Sequence, residues 1–369
     1  MQEPPTARLA SGAVRTLVVS DLHLGVARGR DALRRPGPLA ALASAVCGAD
    51  RLVLLGDALE LRHGPLPAVL AAAAPVLAAL GAALGPEGEL VLVPGNHDHA
   101  LLAPWLERRS GDEAALGLEE RAGPAPTWAL AQLAAAAAPA RFDVAYPGLW
   151  LRPDVYATHG HYLDRLITIP TFERLAAGAM IRVVGPLPAD RATPEDFEAA
   201  LAPLYAWMHA VAQTKRSDWA VARQSSSAGT WRAITGSGPR GLRGRALAAA
   251  FPLAVAGVNR AGLGPVRPEL SGEQLRRAGL AAMGQVVRLL DVDAQHIVFG
   301  HTHRAGPLPD DDPGEWRTPT GALLHNAGCW IDEPTFAVGG PASPYWAGRA
   351  LVLEDAGPPR LERVVTDLA

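Results

Sequence analysis

Short apolar runs recur along the first hundred positions, and each one stops at a polar cluster. Arg15 to Ser20 (RTLVVS), Arg51 to Leu55 (RLVLL) and Glu89 to Val93 (ELVLV) are rich in valine and leucine without alternation, the pattern of strands buried on both faces. Alanine-rich stretches long enough for crossover helices separate them. The pattern predicts parallel β/α units with the polar clusters at the carboxyl ends of successive strands, where open α/β sheets place their sites. Further strands are predicted at Leu149 to Ala157, Ala294 to Phe299, Leu323 to Asn326 and Arg349 to Leu353. Leu66 to Leu84 carries no charge over 19 residues, which is near spanning length. Its alanine content, Pro75 and its place between two strands favour a buried crossover helix over a membrane span.

The rhythm changes at Arg165. From there to Pro268 the chain holds 13 Lys/Arg against 6 Asp/Glu, a net of +7, in a protein whose formal charge is -3. The remainder therefore carries -10, so a basic insertion sits in an acidic body. Thr193, Pro194, Glu195 and Asp196 read as an N-cap, a proline at the first helical position and an acidic first turn, opening a helix that runs past Trp207. Ser225 to Arg245, rich in Gly, Ser and Arg, reads as loop. Ser271 and Gln274 have capping-box spacing, starting a helix that returns to the body through Leu289. The division is thus 1–164 with 269–369 as the body, and 165–268 as a largely helical, basic insertion.

Composition narrows the class. With 369 residues, 49% of them apolar, the chain can bury a substantial core, which excludes a disordered protein. The acidic balance gives no overall field for DNA or RNA, so no nucleic-acid partner is expected. Cys47 and Cys329 are the only cysteines; they build neither a disulfide framework nor a thiolate metal site. Met1 to Arg15 shows no apolar leader core, and a cytoplasmic protein is expected.

Five clusters stand at the predicted strand ends: Asp21-Leu22-His23, Gly56-Asp57, Gly95-Asn96-His97-Asp98, His159-Gly160 and Gly300-His301-Thr302-His303. Singly each is weak, since Gly-Asp and Gly-Asn are ordinary turn pairs. Together and in order they are not. Two residues apart on an extended segment, side chains share a side, so Asp21 with His23, and His301 with His303, can each offer two ligands to one point. Aspartate, asparagine and histidine without cysteine suit Mn, Fe, Zn or similar ions. Seven candidates (Asp21, His23, Asp57, Asn96, His159, His301, His303) exceed what one ion needs, which argues for two ions sharing a carboxylate.

The elements DLH, GDALE, GNHD, THGH and GHTH, spread over residues 17 to 304, resemble the calcineurin-like metallophosphoesterase superfamily. The resemblance implies a four-layer αββα sandwich, with the insertion as a cap, and a binuclear centre. Asp21, His23, Asp57 and His303 would hold one divalent ion; Asp57, Asn96, His159 and His301 would hold the other. Mn is the expected metal, with Fe, Zn, Ni or Co as alternatives. It further implies a phosphoric mono- or diester hydrolase in which a metal-bridging hydroxide attacks in line, His97 acts near the leaving group and Asp98 orients its ring. DLHLG, HTHR and NAGCW are similar to bacterial UDP-2,3-diacylglucosamine hydrolases, a branch that carries arginine where this chain has His97. His97 is closer to general phosphomonoesterases and phosphodiesterases.

The expected substrate is a phosphorylated small molecule or nucleotide. An alternative is a catalytically weak scaffold or lipid-surface protein on the same fold, binding anionic partners through the basic insertion and its Trp207, Trp219 and Trp231. Glu60 is open between a supporting carboxylate and an ordinary helix residue. His63, His99 and His161 are expected as solvated loop histidines, Arg304 as a phosphate contact or a surface arginine, and Asn326 as backbone support. Some of Arg216, Arg223, Arg232, Arg240, Arg243 and Arg245 are expected to reach the distal part of the substrate.

Overall fold

The computed structural model describes residues 14–112, 115–213, 253–267, 271–334 and 336–368. Its strands are β1 (Thr16–Val19), β2 (Arg51–Leu55), β3 (Glu89–Val93), β4 (Glu119–Arg121), β5 (Arg141–Arg152), β6 (Val155–Thr158), β7 (His296–Phe299), β8 (Leu323–Asn326), β9 (Arg349–Leu353) and β10 (Arg360–Arg363). The helices are α1 (Pro36–Val46), α2 (Leu66–Leu84), α3 (Ala103–Asp112), α4 (Trp128–Ala136), α5 (Phe172–Val184), α6 (Pro194–Gln213), α7 (253–260) and α8 (Gly272–Leu289). The fold is mixed α/β, with a large central sheet and eight helices among the described residues.

The sheet runs β10-β9-β1-β2-β3-β5-β6-β7-β8, with β4 paired to β5 off that path. β1, β2 and β3 are mutually parallel, and so are β6, β7 and β8. β5 joins the two arms. Its first residues run parallel to β3, and from Gly148 onward it pairs antiparallel with β6. The single strand expected over Leu149–Ala157 is therefore a hairpin turning at Pro153 and Asp154. Pro-Asp is a turn pair, and the apolar residues on either side of it concealed the break.

Both faces of the central strands are covered, which explains why their sequences do not alternate in polarity. In β2, Leu52 and Leu54 pack with Leu42 of α1 and Val69 and Leu80 of α2. Val53 and Leu55 enter a separate cluster that also holds Val155, Ala157 and Val298 from the other arm. On that arm Tyr156, Ile297 and Phe299 pack against Met283 and Val287 of α8 and Phe197 of α6. Truncating a side chain such as Leu52 to alanine costs ~2–5 kcal/mol at sites of this kind. α2 is long and apolar enough to cross a membrane, yet it connects parallel strands β2 and β3, with Val69, Ala73, Val76 and Leu80 in the core.

Both predicted helix starts are present. Ser271 Oγ accepts from Gln274 N at 3.1 Å, opening α8, and the Asp196 carboxylate accepts from Thr193 N at 2.8 Å at the start of α6. Of the 165–268 segment, α5, α6 and α7 are described, and α5 packs on α6. Trp207 is half exposed. The predicted loop Ser225 to Arg245, Trp219, Trp231, the six arginines from Arg216 to Arg245 and the boundary at Pro268 lie outside the described residues.

Candidate metal centre

Each of the five polar clusters begins one to three residues beyond a strand: Asp21 after β1, Asp57 after β2, Gly95 after β3, His159 after β6 and His301 after β7. The carboxyl ends of both arms thus meet at one place. Close approach there requires glycine. A Cβ on Gly56, whose φ is +83°, would lie 2.2 Å from the His159 ring, and one on Gly300 would lie 1.9 Å from Ser20 Oγ.

Asp21 and His23 do converge on one group of ligand atoms, whereas His301 and His303 fall in different groups, and neither pair follows the extended backbone that the spacing suggested. Asp21, His23, Asp57, His301 and His303 all adopt positive φ, between 46° and 65°. Such left-handed residues cost ~1–3 kcal/mol each and persist where surrounding structure over-determines them. Here the amides of Asp21 and His23 donate to the carbonyls of Gly56 and Asp57 at 3.1 and 2.8 Å. The chain bends sharply at each ligand instead of alternating.

Two groups of ligand atoms stand nearest the strand ends, Asp21, His23 and His303 in one and Asp57, His159 and His301 in the other, and a third, His23, Glu60 and His97, overlaps the first through His23. His303 Nε2 is 3.1 Å from His23 Nε2 and 3.2 Å from Asp21 Oδ1. His159 Nε2 is 3.3 Å from Asp57 Oδ2, and His23 Nε2 is 3.8 Å from the same oxygen, so Asp57 stands between the groups. Each aspartate commits one oxygen to the backbone: Asp21 Oδ2 accepts from His301 N at 2.9 Å, and Asp57 Oδ1 from His97 N at 2.8 Å. The other oxygen faces inward.

These residues fit divalent cations. Asp21 Oδ1 is buried without a hydrogen bond, a costly state unless a positive centre takes it up. The Asn96 amide lies 3.2 Å from His159 Nε2, His301 Nδ1 and Asp57 Oδ2. With its oxygen turned inward, four acceptors face one point, an arrangement that calls for a cation. Charge agrees. Burial would raise the Asp21 carboxyl, but His303 and His159 hold it at about 2. Burial would lower His159, yet Asp57 and Asp21 raise it to about 10, and Glu60 likewise lifts His23 to about 9. The carboxylates thus draw positive charge to this point, which a bound cation would supply in place of the histidine protons.

The outer nitrogens of the histidines are held by oxygens, which fixes the ring orientation of a ligand. His23 Nδ1 lies 3.0 Å from Glu60 Oε2, His159 Nδ1 3.0 Å from the Leu55 carbonyl, and His301 Nε2 3.0 Å from Asp164 Oδ1. Glu60 is also the carboxylate on His97, with Nδ1 2.9 Å from each of its oxygens. This corrects the role expected of Asp98. Asp98 accepts from the amides of Gly95 and Leu59 at 2.6 and 3.2 Å and braces the loops; burial beside Asp57 raises its carboxyl to about 6. Burial and the neighbouring Arg62 lower His97 to about 4, so its ring is neutral.

The expectation of solvated His63, His99 and His161 is overturned, because all three side chains are buried. His99 Nε2 pairs with Glu198 of α6 at 2.9 Å, and Glu198 also accepts from the hydroxyls of Tyr146 and Tyr162. Glu198 and Tyr205 of α6 thus meet His99 and His161. Arg304 is buried, bound through both terminal nitrogens to Asp311 and stacked over Trp316 at 5.4 Å, neither a surface residue nor a free cation. Asn326 supports the backbone, donating to the Gly300 carbonyl at 2.8 Å. A cavity of about 250 Å³ opens beside the centre, lined by Asp57, His97, His301, Ile167, Glu173 and Trp316 among others. Asp164, Glu173, Glu198 and Arg62 carried no motif and were missed from sequence; their placement comes from tertiary packing.

No family model matches the chain, and no curated protein does. Among solved structures, a dimetal phosphatase from Danio rerio is a distant structural neighbour, with a TM-score of 0.34 and 12% identity, covering 95% of this chain and 99% of that one.

Proposed function

We propose that the protein is a metal-dependent hydrolase of phosphoric esters with a binuclear centre. The observation that carries this reading is the meeting of seven candidate ligands from both sheet arms, with Asp57 between the two groups. Asp21, His23, Asp57 and His303 would hold one ion, and Asp57, Asn96, His159 and His301 the other. When bound, two divalent ions polarise a phosphoryl group and lower the pKa of a coordinated water.

The chain's own residues supply the rest. Glu60 accepts from His97 Nδ1 and so directs the opposite ring nitrogen toward the cavity, beside the position the leaving group would take. Asp164 and Glu60 hold the rings of His301 and His23 against rotation. The apolar face of the cavity, with Leu163, Ile167 and Leu280, excludes bulk water from the reacting group. We further propose that the two arms face one another as a four-layer αββα sandwich, with 165–268 as a cap over the cavity, Mn as the metal and a cytoplasmic setting.

The test is reconstitution with Mn, elemental analysis, and assay against phosphomonoesters, cyclic nucleotides, nucleotide sugars and other diesters. Two ions per chain and hydrolysis in at least one class are expected. A folded protein that takes up one ion, or cleaves no phosphoric ester, would contradict the reading. A second reading adds a lipid contact by the basic insertion, favoured by the exposure of Val183, Trp207 and Leu253. Co-sedimentation with anionic vesicles checks it.

A further inference from the structure

Glu60 lies where three of the strand-end loops meet, and its carboxylate is ringed by imidazoles. His23 Nδ1, from the loop after β1, is 3.0 Å from Glu60 Oε2, and His97 Nδ1, from the loop after β3, is 2.9 Å from both carboxylate oxygens. These three residues make up the group of ligand atoms that overlaps the first through His23. The loop after β2 adds a fourth member. His63 stands one turn beyond Glu60, with its Nδ1 3.6 Å from the same Oε2. In helical metal sites a Glu-x-x-His spacing brings both side chains to one ion; here a turn does so.

Three observations single out this cluster. First, His63 Nδ1 has no hydrogen bond although its side chain is only 7% exposed, a costly state for a polar atom. Burial pushes the ring below its ordinary value of 6.5, so it is neutral and keeps a lone pair for a cation. Second, the Glu60 side chain is 1% exposed, and among the described residues its hydrogen-bond partners are the rings of His23 and His97 and the Arg62 amide at 3.0 Å. A buried carboxylate held by neutral donors alone leaves its charge uncompensated. Third, the spacing suits a tetrahedral ion. Bonds of about 2.0–2.2 Å to nitrogen and oxygen set neighbouring ligand atoms roughly 3.3–3.6 Å apart, and the ring nitrogens of His97 and His63 lie 2.9 and 3.6 Å from Glu60 Oε2.

His23 already belongs with Asp21 and His303 through its Nε2, 3.1 Å from His303 Nε2. Glu60, His63 and His97 therefore remain for a further ion. Two imidazoles and one carboxylate suit zinc better than manganese. His97 lines the cavity, so an ion arriving there meets its ring.

We propose that Glu60, His63 and His97 form a third cation site, of the zinc class, separate from the paired centre and inhibitory when filled. Binding at His97 Nδ1 sends the ring's proton to Nε2, which then meets Arg62 Nη1, 3.2 Å away, donor against donor. His97 is thereby drawn from its place beside the leaving group. The inhibition rests on the hydrolase reading; the site itself does not. Arg62 and the ions of the paired centre repel a further cation, so this site should be the weakest of the three and fill last.

The experiment loads the protein with Mn, titrates Zn by calorimetry, counts total metal per chain by elemental analysis, and follows turnover of an aryl phosphate. Wild type should pass from two ions to three in total, whatever exchange occurs in the paired centre, and turnover should fall as the third binds. His63→Ala should keep basal turnover and two ions. Its affinity for the third ion should drop about tenfold or more, since even a contact that only supports a metal ligand is worth ~10–100-fold, and the zinc concentration that halves turnover should rise by the same factor. Wild-type saturation at two ions would overturn the proposal, as would third-ion affinity within twofold of wild type in His63→Ala. Should that variant fail to fold, His63→Phe, which fills the space without a ligand atom, decides by the same comparison. A third ion that left turnover unchanged would refute the inhibition. Three ions in a protein that cleaves no ester would sink the hydrolase reading and leave the site standing.

Discussion

The sheet-bearing body and the proposed insertion, here α5 and α6, contribute to the candidate centre by different means. In the body every candidate ligand is anchored within a few residues of a strand end, so its position follows from the sheet. In the insertion the contributions are single polar side chains on helices: Glu173 reaching Arg62, and Glu198 gathering His99, Tyr146 and Tyr162. The body fixes what can be bound. The insertion fixes how neighbouring charges are disposed around it, and the difference predicts that damage to the two regions will differ in kind.

The largest effect should come from the body. Asp57→Asn removes the oxygen shared by both ligand groups, so both ions should be lost together and hydrolysis should fall below detection; elemental analysis alongside the assay checks this. Retention of one tightly held ion would show that the groups are independent. Next, His97→Ala should reduce turnover by ~10²–10⁴-fold, as for a positioned acid or base, with metal content near wild type. Supporting carboxylates should cost less: Glu60→Gln and Asp164→Asn are each expected to weaken metal affinity by ~10–100-fold, measured by competition with a chelator.

The insertion should respond through stability. Glu198→Ala leaves buried tyrosine hydroxyls and His99 without their acceptor, a loss of ~1–3 kcal/mol, read from denaturant melts, with metal content unchanged. If metal were lost as well, the division between the regions would fail. The smallest effect concerns pH. Burial would raise the Glu198 carboxyl, but His99 and the two tyrosine hydroxyls hold it below its ordinary value of 4.5. A carboxyl lowered on folding stabilises fully above its unfolded value, and the contribution vanishes as pH falls through the folded one. Wild type should therefore lose stability below about pH 4.5 more steeply than Glu198→Gln; parallel melting curves in acid would contradict this.

The same contrast explains what could be read from the chain. Strands β1, β2 and β3 and the ends of α2 and α8 were legible because apolar runs and capping residues are local signals. The five clusters were legible because they sit where those runs stop. Glu60 was visible as a candidate but not its double hold on His23 and His97, which depends on how two loops meet. Asp98 was assigned the wrong duty because adjacency in sequence says nothing about where a carboxylate points; its oxygens were claimed by nearer amides. The buried histidines were misplaced for a related reason. A loop beside a strand end is ordinarily wet, and only the docking of α6 makes His99 and His161 dry.

The left-handed backbone at five of the candidate ligands sets a second filter on what those positions tolerate. A replacement must suit both the ion and a conformation that β-branched side chains avoid. Substitution of Asp57 by asparagine alters only the chemistry, whereas valine at the same place also forces the turn to open, and glycine removes the chemistry while relaxing the turn. In a saturation scan of Asp21, His23, Asp57, His301 and His303, binding and folding should therefore rank the substitutions in different orders, with glycine among the stablest inactive variants and isoleucine and valine among the least stable. The conformation favours Asp, Asn, His and Gly at these positions, so a stable variant that lost the reaction would still carry the outline of the centre in its sequence.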